Sequence, residues 1–334
     1  MGNRKFAIKN VCLFAASALI FLVFSATAES SAKIKAVATF SILGDMIKRI
    51  GGDHVLVTTL VGPNGDAHVY QPTPTAAKSM SEANVLFVNG LGFEGWLDRL
   101  VEATSFDGSH VVATSGIKAI AYEEGEGHDE HSKDKHDKHA GEKHDDDKHN
   151  DDHADHDHGA FDPHAWQSLT NAKVYVNNIT AALAQIAPIK ATTFYQNRAS
   201  YIAEIDALQS QIHEMISSLP QNRRTVVTSH DAFQYFGRDY GITFLAPHGM
   251  STESEASAQD VAKLIKQMRA KHIKAVFIEN ITDPRLLQQI AKETGATIGG
   301  TLFPGALSEP SGPAPTYLKM LHHNAITLKR ALGS

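Results

Sequence analysis

The stretch YQNRASYIAEIDALQSQIHEMISSL, residues 195–219, carries Ile202, Ile205, Leu208, Ile212 and Ile216 at helical spacing and contains no Gly or Pro. Apolar side chains recurring three and four residues apart form one stripe on an α-helix, so the spacing predicts a single long helix. At 1.5 Å per residue it spans more than about 30 Å. On either side, short β-rich runs alternate with helical periods. Candidate strands before it are Lys35–Phe40, Val55–Val61, Val85–Asn89 and Val111–Thr114, and after it Thr225–Ser229, Thr243–Ala246, Ala275–Glu279 and Thr297–Leu302. Helical spacing follows such runs, as at Val261–Ala270 and Pro284–Thr294. Strands alternating with helices imply parallel sheets covered on both faces. The expected fold is therefore α/β: two similar lobes with parallel sheets, residues 29–188 and 221–334, joined by one long rigid helix within 189–220. Open α/β sheets bind ligands beyond the carboxyl ends of their strands, and clefts between lobes favour binding too.

The amino terminus reads as an export signal. Arg4, Lys5 and Lys9 precede an uncharged, mostly apolar run, Val11 to Ala26, and Ala26 and Ala28 form an A-x-A cleavage site. The run is shorter than the roughly 20 apolar residues that span a bilayer. Cleavage is expected after Ala28, which removes residues 1–28 and delivers the chain to the periplasm. The only cysteine, Cys12, lies inside this run, so the mature chain has no disulfide and is held by its core. A net charge of −6 argues against nucleic acid or an anionic membrane as partner, since both select basic surfaces.

Three histidines stand where this fold places ligands. His68 lies in the turn-rich segment Gly62-Pro63-Asn64-Gly65-Asp66-Ala67-His68 after a strand, His230 directly follows Thr225–Ser229, and His164 sits in Phe161-Asp162-Pro163-His164-Ala165-Trp166. Three neutral imidazoles supply three corners of a zinc tetrahedron. Asp162 and Asp231 are candidates to fix a ring tautomer, although Asp231 also suits a helix cap. His54, His110, His213, His248, His272, His322 and His323 fall at segment ends or on expected surface and read as structural or solvated.

The segments Val61 to Pro74, Phe161 to Trp166 and Thr228 to Phe236, with Val276 to Glu279 and Gly312 to Tyr317, closely resemble the zinc and manganese solute-binding proteins of ABC importers, the ZnuA-like group. The resemblance implies the two-lobed fold with a rigid linking helix, a metal held in the cleft by His68, His164 and His230, and a monomeric receptor that serves a membrane permease. Glu commonly takes the third ligand position in manganese receptors of this group and His in zinc receptors. His230 therefore favours Zn²⁺, since imidazole is softer than the oxygen donors Mn²⁺ prefers. Glu253 matches a family position near the cleft, where it could hydrogen-bond a ligand histidine. One departure stands out: the family's fourth ligand, an Asp, is matched here by Gly305 in Pro304-Gly305-Ala306-Leu307-Ser308. A water, Asp66, Glu309 or a residue of the histidine-rich stretch remain open as replacements.

That stretch runs from Glu123 to Gly159 and is almost wholly His, Asp, Glu, Lys and Gly. It buries too little apolar surface to offset its ordering entropy and reads as a disordered loop. Nine histidines fall within it, His128, His131, His136, His139, His144, His149, His153, His156 and His158. Exposed imidazoles are largely neutral near pH 7 and free to bind metal as an auxiliary site. No Gly-x-x-x-x-Gly-Lys-Ser loop is present, so any ATP hydrolysis belongs to another protein. Two further functions fit three histidines: a periplasmic zinc buffer or chaperone, and a zinc hydrolase. No H-E-x-x-H motif and no evident general base support the hydrolase.

Overall fold

A computed structural model describes residues 32–121 and 161–333. The expected signal segment and the histidine-rich stretch lie outside the described residues. The chain runs β1 (Ile34–Phe40), α1 (Ser41–Gly51), β2 (Val55–Val61), α2 (Pro74–Ser81), β3 (Val85–Val88), α3 (Leu97–Thr104) and β4 (Ser109–Val112), then α4 (Leu169–Ile186) and α5 (Ala191–Ser217). It continues with β5 (Thr225–Val227), α6 (Gln234–Tyr240), β6 (Thr243–Leu245), α7 (Ala258–Ala270), β7 (Ala275–Glu279), α8 (Arg285–Thr294), β8 (Thr297–Leu302) and α9 (Tyr317–Leu332).

The strands form two four-stranded sheets, ordered β2-β1-β3-β4 and β6-β5-β7-β8, parallel throughout. Central β3, Val-Leu-Phe-Val, is buried at every position, as expected of a strand covered by helices on both faces. The edge strand β4 begins two residues before the predicted Val111. Its ladder pairs Ser109 to Val112 with Val85 to Val88 and opens with the polar, exposed Ser109 and His110, since an edge strand needs no apolar side chain there.

The long helix α5 has 27 residues and packs against α1, α4, α6 and α9. Its buried stripe is Phe194, Tyr201, Ile205, Leu208, Ile212 and Ile216. The stripe passes through Tyr201 rather than the predicted Ile202, which lies on its partly exposed flank. One hydrophobic core follows this helix through both lobes, from Phe40 and Phe87 to Phe236, Tyr317 and Leu328. A second, smaller core of Val227, Leu264, Met268, Val276 and Ile290 lies between the second sheet and the helices α7 and α8. Helix α7 starts three residues before the predicted Val261 because the Ser257 hydroxyl caps it, accepting from the Asp260 amide at 3.1 Å.

Truncation in the shared stripe should weaken both lobes together. Ile212→Ala is expected to lower unfolding stability by about 2–5 kcal/mol, read by urea denaturation followed by circular dichroism. A loss below about 0.5 kcal/mol would contradict the packing described for α5.

Candidate metal centre

The carboxyl ends of both sheets converge on one cluster. The segment after β2 carries His68, the one between β4 and α4 carries His164, and the one after β5 carries His230. All three rings are buried, and one ligand atom from each lies within 4.8 Å of the others; among the described residues no other group of three metal-binding side chains meets this condition. The Nε2 atoms of His68 and His164 are 3.2 Å apart. A tetrahedral zinc site with Zn–N bonds of about 2.0–2.1 Å separates its ligand atoms by about 3.3–3.4 Å. The ring of His230 lies 5.8 Å from that of His68 and 5.3 Å from that of His164, and its buried Nε2 has no hydrogen-bond partner. Buried nitrogen without a partner is costly, and a cation is a partner that imidazole accepts.

The ring orientations are set from behind. Asp162 Oδ1 accepts both the His164 amide, at 2.9 Å, and His164 Nδ1, at 2.8 Å. Glu279, the last residue of β7, places Oε2 2.6 Å from His230 Nδ1, while its Oε1 accepts the Ser229 and His230 amides at 3.1 and 3.2 Å. A carboxylate on Nδ1 fixes the tautomer that leaves the Nε2 lone pair aimed at the cluster. His68 is positioned through its backbone, its amide donating to Asp66 Oδ1 at 2.9 Å, and Phe93 packs edge-on to its ring. Trp96 Nε1 donates to the Ala67 carbonyl at 2.8 Å. The His164 segment is clamped by Tyr235 of α6, whose hydroxyl donates to the Asp162 carbonyl at 2.9 Å, and by Asn89 Nδ2, which donates to the Pro163 carbonyl at 2.9 Å. Trp166 and Gln167 both donate to the Pro304 carbonyl, at 2.7 and 2.6 Å.

Two expected tautomer-fixing carboxylates divide. Asp162 holds His164, whereas Asp231 accepts from Gln234 at 2.6 Å instead of reaching a ring. Nor does Asp231 cap a helix, because α6 begins at Gln234 with Phe233 before it. The role expected of Asp231 falls to Glu279, far along the chain. Glu253 does not hydrogen-bond a histidine either. It is exposed on the wall of a cavity of about 700 Å³ that opens onto His68. Of the candidate fourth ligands, Asp66 has both oxygens engaged, by the His68 amide and by the Thr252 hydroxyl, and Glu309 is exposed. Neither joins the 4.8 Å cluster. A Cβ added at Gly305 would meet only Ile281 and Trp166, both at 3.8 Å. His248, read as structural or solvated, lines the same cavity, and its Nδ1 lies 2.9 Å from the Ser254 carbonyl. The nine histidines from His128 to His158 lie outside the described residues.

Burial sets the protonation of the rings. His68 and His164 are held well below the ordinary imidazole value, by burial first and by the charge of neighbouring rings. Burial also pushes His230 down, but the charge of Glu279 and its hydrogen bond outweigh this and the net shift is upward. Burial pushes Asp162 up to about 7.

Residues 36–331 match the family model for ZnuA, the periplasmic component A of zinc-uptake complexes. The iron-binding protein YfeA of Yersinia pestis is 30% identical over 305 residues, 91% of this chain and 88% of YfeA. The manganese-binding lipoprotein MntA of Halalkalibacterium halodurans is 29% identical over 307 residues, 92% of this chain and 91% of its own. Among solved structures, the periplasmic zinc-binding protein TroA from Treponema pallidum has a TM-score of 0.77 at 26% identity, covering 90% of this chain and 99% of TroA. The Mn-bound periplasmic metal-binding protein from Candidatus Liberibacter asiaticus has a TM-score of 0.73 at 29% identity, with the same coverage.

In the metal-free protein His230 should take up a proton first as the pH falls, while His68 and His164 stay neutral. The raised value of His230 favours the folded state below the ordinary imidazole range, and that contribution is lost as pH rises through its folded value. The lowered pair acts oppositely, removing stability as pH falls through the imidazole range, because only their unfolded rings bind protons. Nitrogen-15 NMR of labelled histidines checks the order; His68 or His164 titrating above His230 would contradict it.

Proposed function

Because the chain belongs to the ZnuA family of periplasmic zinc-uptake components, it is a metal-binding receptor of an ABC importer, and we propose that its cargo is Zn²⁺ held by His68, His164 and His230. Proteins of this family present a metal ion to a membrane permease and catalyse no reaction. The observation that carries the zinc reading is the buried cluster of three imidazoles, in which the Nε2 of His230 has no other partner. All three converging donors are nitrogens. Imidazole suits Zn²⁺, whereas Mn²⁺ prefers oxygen, and the relatives named for iron and manganese make this distinction the point to test.

Asp162 and Glu279 stand one hydrogen bond behind the rings and neutralise charge without coordinating. A water completes the tetrahedron, since Gly305 offers no donor and Asp66 is engaged elsewhere. The receptor acts as a monomer, exported by the cleaved segment 1–28. The histidine-rich stretch, His128 to His158, collects metal for the cleft site. In support, the described residues that flank it, Ala121 and Phe161, pair in an antiparallel bridge, and Phe161 lines the cavity that opens onto His68.

Competitive titration of the mature protein with Zn²⁺ and Mn²⁺ tests the assignment. One tight zinc site should survive deletion of residues 123–159 and weaken at least ~100-fold in His230→Ala, the scale expected when a metal loses one of its few protein ligands. Tight binding that vanished with the deleted stretch and ignored His230 would instead support a zinc buffer. Gly305→Asp adds an oxygen donor where the backbone leaves room. It should narrow the zinc-over-manganese preference by about tenfold or more, and an unchanged ratio would place residue 305 away from the ion.

A further inference from the structure

His164 and His230 are 0% and 1% exposed, while His68 is 8% exposed and is the only one of the three that lines the large cavity. An ion therefore reaches the cluster, and leaves it, on the His68 side. Much of the cavity wall is the loop between β6 and α7, which contributes Pro247 through Ser257 with the exception of the half-buried Thr252. At its start this loop is fastened to the segment bearing His230: His248 bridges His230 in parallel register, and the Asp231 amide donates to the Gly249 carbonyl at 3.1 Å. At its tip, the Thr252 hydroxyl crosses the cleft and donates to Asp66 Oδ2 at 2.6 Å. The other oxygen of the same carboxylate accepts the His68 amide. Among the described residues this is the loop's only hydrogen bond to the lobe that carries His68 and His164. The loop is thus tied through its backbone to the His230 segment, and to His68 through one hydroxyl and one carboxylate.

We propose that Thr252 is a latch: its hydroxyl, bound to Asp66, holds the 246–257 loop against the His68 segment and so sets the rate at which the ion enters and leaves. Thr252 is a positioning residue that touches no ion. The assignment rests on the three-histidine reading above. A latch of this kind acts on both directions of exchange. Breaking it speeds release and capture together and changes equilibrium affinity by less than it changes either rate. A residue that merely shaped the site would lower affinity and leave capture unchanged.

The test uses the full chain loaded with one equivalent of Zn²⁺, chased with excess chelator and followed by stopped flow, with His230→Ala as the reference for the cleft phase. Thr252→Val keeps the shape and removes the hydroxyl. It should speed the slow release phase by about tenfold or more, the scale of one hydrogen bond to an ionised acceptor, with a faster capture rate and a smaller change in Kd. Thr252→Ser, which keeps the hydroxyl, should stay within about twofold of the parent on the same scale. Release by the Val variant within about threefold of the parent, equal acceleration by Ser, or an affinity loss matching the rate change would overturn the latch. A slow phase that persists in His230→Ala would overturn the three-histidine reading itself, and the latch with it.

Discussion

Three imidazoles buried within 4.8 Å of one another must stay neutral, and their lone pairs must point the same way. Burial meets the first condition at His68 and His164 by disfavouring the charged ring, whereas at His230 the charge of Glu279 outweighs burial; the carboxylates behind two of the rings supply the second condition. Asp162 and Glu279 each accept an Nδ1 proton, at 2.8 and 2.6 Å, and each also ties down the backbone amide of the histidine it orients. The same contacts place negative charge near a site whose donors carry none. Removing either carboxylate would free a ring to rotate and leave a dication in an uncompensated cavity.

The fold can be seen as the means of bringing these pairs together. Two parallel sheets present the carboxyl ends of their strands to a common cleft, and α5, with a core continuous through both lobes, braces them. Further hydrogen bonds cross the cleft near the histidines. Asn64, in the left-handed conformation with φ of 53°, donates its amide to the Leu307 carbonyl at 2.8 Å, and Asn280 Nδ2 lies 3.0 Å from Asn64 Oδ1. An Asn tolerates that backbone better than most side chains. The loop carrying His68 is therefore tied to the opposite lobe at several points, so that lobe arrangement and ring position are coupled.

Much of this was legible in the chain. Apolar periodicity marked α5 and the strands, because these residues pack on a surface with a regular repeat. His68 and His230 were visible because each follows a strand, and His164 because it sits in a proline-containing segment flanked by aromatic residues. The partner of His230 was not, because proximity in sequence suggested Asp231, whereas the side chain that reaches the ring comes from the end of the neighbouring strand 49 residues later. A carboxylate closing an otherwise apolar strand, Ala-Val-Phe-Ile-Glu279, was the signal that could have pointed to it. Thr252 carries no such signal, for its role comes from a loop folding across the cleft. The absence of a donor at Gly305 was readable only through the family resemblance.

The account stands on the coordination of the ion, and X-ray absorption at the zinc edge, on protein lacking residues 123–159 and loaded with one equivalent of Zn²⁺, examines that directly. Three imidazole nitrogens and one further light atom at about 2.0–2.1 Å are predicted. A shell dominated by oxygen, with one imidazole or none, would contradict it.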